Sequence, residues 1–359
     1  HLNKDWLPGG FLGVDVFFVI SGYLITSILL SEIRDQSFSM LKFWARRVRR
    51  IFPALLTVVL TTLAFTYLVV YLPDQYRIGQ QAVAALLSYA NVFFWAETGD
   101  YWGVAAEKSP FLHAWSLAVE EQFYVFFPIL LVATQRVARS MTSRAILILT
   151  LASFVLYVWG VINYPSATFY LMPTRIWELG VGALVASFHQ QIKTFESFNR
   201  ILPFFGLLCI TASYFVFDVI GYGAFLAVLG TALILYNTIR TGVSELLSWP
   251  ALVHIGKLSY SNYLWPLVFL AKRMGVFSKK SEIIVLVAGI YILSLITYWG
   301  IEQPTRRSSK VVPRTLLVWT GVLLVAMFMG YRQRYCKNDF FCSVNLFRDG
   351  IHTTAKRLR

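Results

Sequence analysis

The stretch FLHAWSLAVEEQFYVFFP, residues 111–128, sets an imidazole, a hydroxyl, two carboxylates, an amide and a phenol into an otherwise apolar run. At a helical step of about 100° per residue, His113, Ser116, Glu120 and Tyr124 fall within roughly 80° of arc, whereas Trp115 and Gln122 point to the opposite side. One face therefore offers the parts of general-base chemistry: a histidine, a carboxylate able to orient or polarise it, and hydroxyls. Glu121 falls about 100° further round, and its role stays open. The competing reading is a network of hydrogen bonds between helices that does no chemistry. A charge deep in a bilayer costs on the order of 2.5–3.5 kcal/mol, so such groups mark sites or pathways by default.

Three further groups stand out. In FWARRVRRIFP, residues 43–53, Arg46, Arg47, Arg49 and Arg50 precede a helix expected to start at Pro53. Guanidinium forks grip phosphates as bidentate donors, so a nucleotide-bearing cofactor such as a CoA thioester would fit, though the spacing alone does not specify it; plain anchoring at a membrane face is the other reading. In YLMPTRIWELGVGALVA, residues 170–186, Arg175 and Glu178 stand one turn apart and can pair, which favours a structural role. Near the start, His1, Asp5 and Asp15 flank the glycine-rich turn LPGGFLG, and Ser21-Gly22 form a small step that permits close helix approach or a kink.

These residues need elements that hold them in a membrane. The 359-residue chain is 57% hydrophobic, 16% aromatic and only 14% charged, with a net charge of +14. Soluble domains carry roughly 25% charged residues, so the expected class is all-α, a polytopic transmembrane helix bundle. Apolar windows of spanning length lie at 13–32, 53–72, 113–134, 145–163, 173–189, 201–217, 220–237, 257–273, 282–300 and 315–331, about ten spans. An eleventh, 79–96, is diluted by Gln80, Gln81, Ser88 and Asn91 and is read as re-entrant or interfacial. The chain opens on His1 rather than Met and soon enters its first span, which suggests that its start lies further upstream.

With that choice the loops 34–50, 135–144, 190–200, 238–257 and 303–314 hold 17 Lys/Arg against 7 in the alternate ones, placing the first set in the cytoplasm. Loop 271–281 runs against the bias. The positive charge is thus a topological signal together with a basic tail, and nucleic acid is a poor explanation for it. Residues 1–331 read as one membrane domain and 332–359 as an external, periplasmic tail, the stump of a further domain. Cys336 and Cys342 in that tail fit either a disulfide or two free thiols, and Cys209 reads as a small core residue. No Cys/His spacing suggests a metal, no glycine-rich phosphate loop follows a strand, and no internal repeat is evident.

The strings LPGGFLGVDVFFVISGYLIT, FWARRVRRIFPALL, SPFLHAWSLAVEEQFYVFFP, FYLMPTRIWELGVGALVA, GKLSYSNYLW and EQPTRR occur in this order. In that they resemble the successive motifs of acyltransferase family 3, bacterial membrane O-acyltransferases, and within it the branch that acetylates surface polysaccharides. The resemblance runs from residue 1 to about 331. It implies that His1 is the catalytic base, with an upstream helix and arginine that precede this chain. It implies a motif match for His113, Trp115, Ser116, Glu120, Gln122, Phe123 and Tyr124, with Glu120 favoured over Glu121, and an acyl-CoA phosphate role for Arg46, Arg47 and Arg50. Arg175, Trp177 and Glu178 match a further motif of less defined duty.

Two departures stand beside the match. Members of this branch often place His-Trp before a proline where here Trp265 meets Pro266 directly, and many carry an external SGNH domain whose Gly-Asp-Ser motif does not occur in these residues. The resulting expectation is transfer of an acyl group, most simply acetyl, from cytoplasmic acetyl-CoA or another acyl-CoA. The acceptor is a hydroxyl of a lipid-linked or exported glycan such as lipopolysaccharide O-antigen, and the setting is the lipid bilayer of the bacterial inner membrane. The alternative is a glycolipid transporter, which inverted repeats with broken helices would favour.

Overall fold

The computed structural model describes residues 8–69, 72–98, 109–137, 139–188, 196–215, 220–236, 241–274, 280–308 and 311–336. His1, Asp5 and the Cys336–Cys342 pairing therefore lie outside the described side chains. All regular structure among the described residues is helical. The elements are α1 (Gly13–Arg34), α2 (Met40–Val69), α3 (Leu72–Leu86), α4 (Ala90–Thr98), α5 (Ala114–Val137), α6 (Arg139–Asn163), α7 (Pro165–Tyr170) and α8 (Ile176–Phe188). They continue as α9 (Glu196–Ser213), α10 (Ile220–Tyr236), α11 (Gly242–Leu247), α12 (Pro250–Leu264), α13 (Leu267–Met274), α14 (Lys280–Thr297), α15 (Gln303–Arg307) and α16 (Val311–Cys336).

Among the described residues, five helical stretches are long and apolar enough to cross a membrane: Gly9–Arg34, Met40–Val69, Ala114–Arg136, Met141–Asn163 and Glu282–Arg307. Four of the remaining expected spans correspond to shorter apolar helices, within α8, α9, α10 and α16. The tenth, 257–273, is interrupted. Pro266 disfavours a helical residue before it, and Trp265 is extended (ψ 114°), so α12 ends there and α13 begins beyond it. The outer surface exposes Leu68, Ile162, Leu317 and many other large apolar side chains, as a hydrocarbon-facing surface does. The apolar windows of the third and fourth stretches are 50% and 28% buried, so α5 is an inner helix and α6 a peripheral one.

The segment 79–96 is two helices, α3 and α4, parted by Ser88 in the left-handed region (φ 55°). A break inside a membrane protein must find partners for the carbonyls it frees. Here Trp319 Nε1 of α16 donates to Leu86 O (3.0 Å) and Gln122 Nε2 of α5 donates to Ser88 O (3.0 Å).

The arginine segment departs from the sequence expectation. Instead of preceding a helix that starts at Pro53, Arg46–Arg50 lie inside α2, which begins at Met40 and carries Pro53 in its interior. Proline removes only the bond from its own nitrogen to the carbonyl four residues earlier. That carbonyl, Arg49 O, accepts instead from Thr305 Oγ1 of α15 (3.3 Å), and Tyr260 OH of α12 donates to Ile51 O (2.8 Å). Pro128 in α5 is served in the same manner: Trp44 Nε1 of α2 donates to Tyr124 O (3.2 Å). Both kinks thereby become joints between helices.

α1 packs most extensively on α8. A Cβ on Gly22 would run into the carbonyl of Leu179, and one on Gly182 into the carbonyl of Val19. The Ser21-Gly22 step thus gives the close approach its composition suggested.

Candidate active site

Three polar groupings lie in the interior among the described residues, and α1 and α5 contribute to them. The first is built on Arg175, in the turn before α8. Its Nη1 meets Asp15 Oδ1 of α1 at 2.8 Å and Glu178 Oε1 of α8 at 2.6 Å, and its Nε donates to Phe169 O (3.0 Å). All three charged side chains are at most 3% exposed. The guanidinium also stands 5.0 Å from the ring of Phe169 and 5.6 Å from that of Trp115. The expected Arg175–Glu178 pair is present, and Asp15 joins it from 160 residues away. Trp177 is buried behind it against Phe154 and Tyr157.

The second grouping joins α1, α2 and α5. Tyr124 OH donates to Glu120 Oε1 (3.2 Å), which leaves Ser21 as the donor in its hydrogen bond to Tyr124. Glu120 is 4% exposed. Arg47 turns inward so that its guanidinium lies 5.7 Å from the Tyr124 ring, and Arg47 and Arg50 are both within electrostatic reach of Glu120. Arg46 turns the other way, to Glu32 Oε1 at the end of α1 (2.7 Å), and Arg49 Nε donates to Ala45 O (3.2 Å). The arginine run is thus divided into an outward pair and an inward pair.

The third grouping holds His113 and Ser116. His113 lies in the turn before α5, not on the helix, which starts at Ala114. Tyr263 OH of α12 donates to His113 O (2.5 Å), so Ser116 is the donor in the bond between its Oγ and that phenol (2.5 Å). The buried imidazole stands edge-on to Tyr263 (5.3 Å) and stacked on Phe269 (6.0 Å), and its Nδ1 has no hydrogen-bond partner among the described residues.

The polar face of 113–124 therefore exists but is shared out. His113 and Ser116 engage α12, while Glu120 and Tyr124 engage α1. Opposite them, Gln122 and Asn91 exchange amide hydrogen bonds (2.9 and 3.3 Å), and Trp115 packs on Phe169 at 4.6 Å. Both have structural partners on that side. Four residues that sequence reasoning left unassigned belong to the site region: Tyr260, Ser261, Tyr263 and Glu302. Ser261 donates to Glu302 Oε2 (3.0 Å), Arg306 bonds the other oxygen, and Arg50 lies within electrostatic reach of Glu302. The signal for the first three was the polar run Ser259-Tyr260-Ser261-Asn262-Tyr263 inside an apolar window.

Comparisons with known proteins bear on this arrangement. Residues 3–302 match the model of the acyltransferase domain of family 3. An O-acetyltransferase of Staphylococcus aureus strain NCTC 8325, OatA, is 32% identical over 333 residues, 86% of this chain and 54% of that protein. A protein of strain COL, provisionally designated an O-acetyltransferase, is 33% identical over 285 residues, 74% of this chain and 47% of that protein. The chain spans about half the length of the curated relatives it matches. No solved structure matches it. Six ordered motifs, an all-helical membrane bundle that gathers them, and a family match over most of the chain lead to one identification: the chain belongs to acyltransferase family 3.

Proposed function

We propose that this chain transfers an acyl group, acetyl in the simplest case, from acyl-CoA to a hydroxyl of a cell-surface glycan, at the bacterial inner membrane. The observation that carries the reading is the junction of α1, α2 and α5. There a buried carboxylate, Glu120, is held by Tyr124 and Ser21 within electrostatic reach of the arginines at the basic end of α2. This supports a reading in which donor and base chemistry meet at one place.

In this reading about ten spans of the domain 1–331 hold the arginine end toward the cytoplasm, where acyl-CoA is available, and residues 332–359 lie in the periplasm. Arg46, Arg47 and Arg50 receive the donor; guanidinium forks suit its phosphates. Arg46 can exchange its half-exposed partner Glu32 for a phosphate at modest cost, since exposed ion pairs contribute about 0–1 kcal/mol. His1 is the base that takes the acceptor's proton, with Glu120 as its partner, and His113 and Ser116 supply a second imidazole and hydroxyl along α5. The acceptor is a lipid-linked or exported glycan such as lipopolysaccharide O-antigen, or peptidoglycan.

The test is transfer of labelled acetyl from acetyl-CoA to these glycans by membranes holding the chain. Replacing a general base or its partner is expected to lower turnover about 10²–10⁴-fold, so His1→Ala and Glu120→Gln should each fall in that range. Undiminished transfer by either variant removes it from the site. Movement of glycolipid without CoA-dependent transfer would replace the reading by a transporter.

A further inference from the structure

Arg47 differs from its neighbours in a manner that a phosphate grip does not explain. Arg46 is paired with Glu32 and Arg49 with a backbone carbonyl, both near the surface. Arg47 is directed into the interior, 5.7 Å from the ring of Tyr124 and 5.8 Å from that of Phe43. Its Nε is buried without a hydrogen-bond partner. Glu120 and Glu121 are both within its electrostatic reach, yet no ion pair joins it to either among the described residues. A guanidinium N–H left unpaired inside a membrane protein is costly unless it has a use.

What could use it is limited by its burial. A phosphate would have to leave water with its full charge to reach this place. A thioester carbonyl is neutral on arrival and becomes negative only as the transition state forms. Donors fixed in advance at such a position act on the transition state and not on the ground state.

Resting on the acyl-transfer reading above, we infer that Arg47 is a catalytic residue that faces the carbonyl oxygen of the acyl thioester, while Arg46, paired with Glu32 on the other side, serves the phosphates. The attacking oxygen bonds to the carbonyl carbon as its proton passes to the base. The carbonyl π pair moves onto oxygen, and the Arg47 N–H groups stabilise that oxyanion. Collapse re-forms the carbonyl and breaks the C–S bond, and the thiolate leaves and recovers the proton from the base. Trp44 and Tyr260 are positioning residues for this act, since each ties the α2 segment to its neighbours by a hydrogen bond to a backbone carbonyl.

The experiment compares acetyl-CoA with S-acetylpantetheine, which keeps the thioester and lacks the nucleotide and its phosphates. Free thiol release is followed in membranes holding the chain, with lipid-linked O-antigen or peptidoglycan precursor as acceptor. Arg47→Gln is expected to lower kcat about 10²–10³-fold with both donors and to leave KM unchanged. Arg46→Gln should raise KM for acetyl-CoA by a larger factor than KM for S-acetylpantetheine. Should Arg47→Gln fail to assemble, Arg47→Lys keeps the charge and should show the same pattern, a fall in kcat with both donors at unchanged KM. An Arg47 effect confined to acetyl-CoA and to KM, or no effect, overturns the inference alone. A wild-type chain that releases no thiol from acetyl-CoA overturns the acyl-transfer reading and the inference with it.

Discussion

Arg175 carries its charge where water does not reach, and its two carboxylate partners and a ring on either side make that tolerable. Removing one partner of a buried ion pair costs about 3–5 kcal/mol, because the remaining charge stays buried without compensation. Arg175→Gln should therefore lose that much stability, read as a lowered unfolding midpoint of the detergent-solubilised protein. Asp15→Asn, which keeps a hydrogen-bonding amide beside the guanidinium, should lose less. A variant Arg175→Gln that unfolds with the wild type would mean that the cluster does not support the fold. The Arg175–Glu178 half was legible in the sequence because three residues on a helix are always neighbours. Asp15 was legible only as a charge in the wrong place, since nothing local connects it to a residue 160 positions later. The same holds for Tyr263, whose phenol is fixed by a hydroxyl 147 positions before it.

Elements here are shaped by where their backbone hydrogen bonds cannot be made. Pro53 and Pro128 each orphan a carbonyl, Pro266 stops α12, and Ser88 parts α3 from α4. From sequence the prolines read as boundaries, so the start of the second span was set at Pro53, thirteen residues late. Thr305 removed that boundary by accepting the duty of the missing amide, and a donor so distant has no local signature. At the break near Ser88, Trp319→Phe keeps the ring and deletes the donor to Leu86 O. A buried carbonyl left alone costs about 1–3 kcal/mol. The expected result is loss of that much stability with faster amide exchange confined to α3 and α4. Exchange unchanged there would separate Trp319 from the break. The α1–α8 crossing makes a sharper demand: Gly22→Val brings a side chain against the backbone of Leu179, so the helices must part. This variant should fail to accumulate in membranes.

At the scale of the whole molecule the apolar face is outside and the charges are inside, the reverse of a soluble domain. Composition alone announces that inversion, and the lipid-facing side chains of α6 and α14 comply with it. Side and count are argued from the Lys/Arg distribution, which predicts that single cysteines placed at 140–144 and after 331 lie on opposite faces. A membrane-impermeant maleimide applied to intact cells should label the second and not the first; the converse pattern inverts the topology. The hydrogen bond from Trp319 to Leu86 also fixes an order of events, for its two ends are 233 residues apart. A chain is inserted from its N-terminus as it is synthesised. Leu86 thus waits, its carbonyl exposed by the break, while most of the remaining domain is made. The residue that relieves it is made 233 positions later. During that interval the half-built protein carries a carbonyl whose donor, Trp319, has not yet been made.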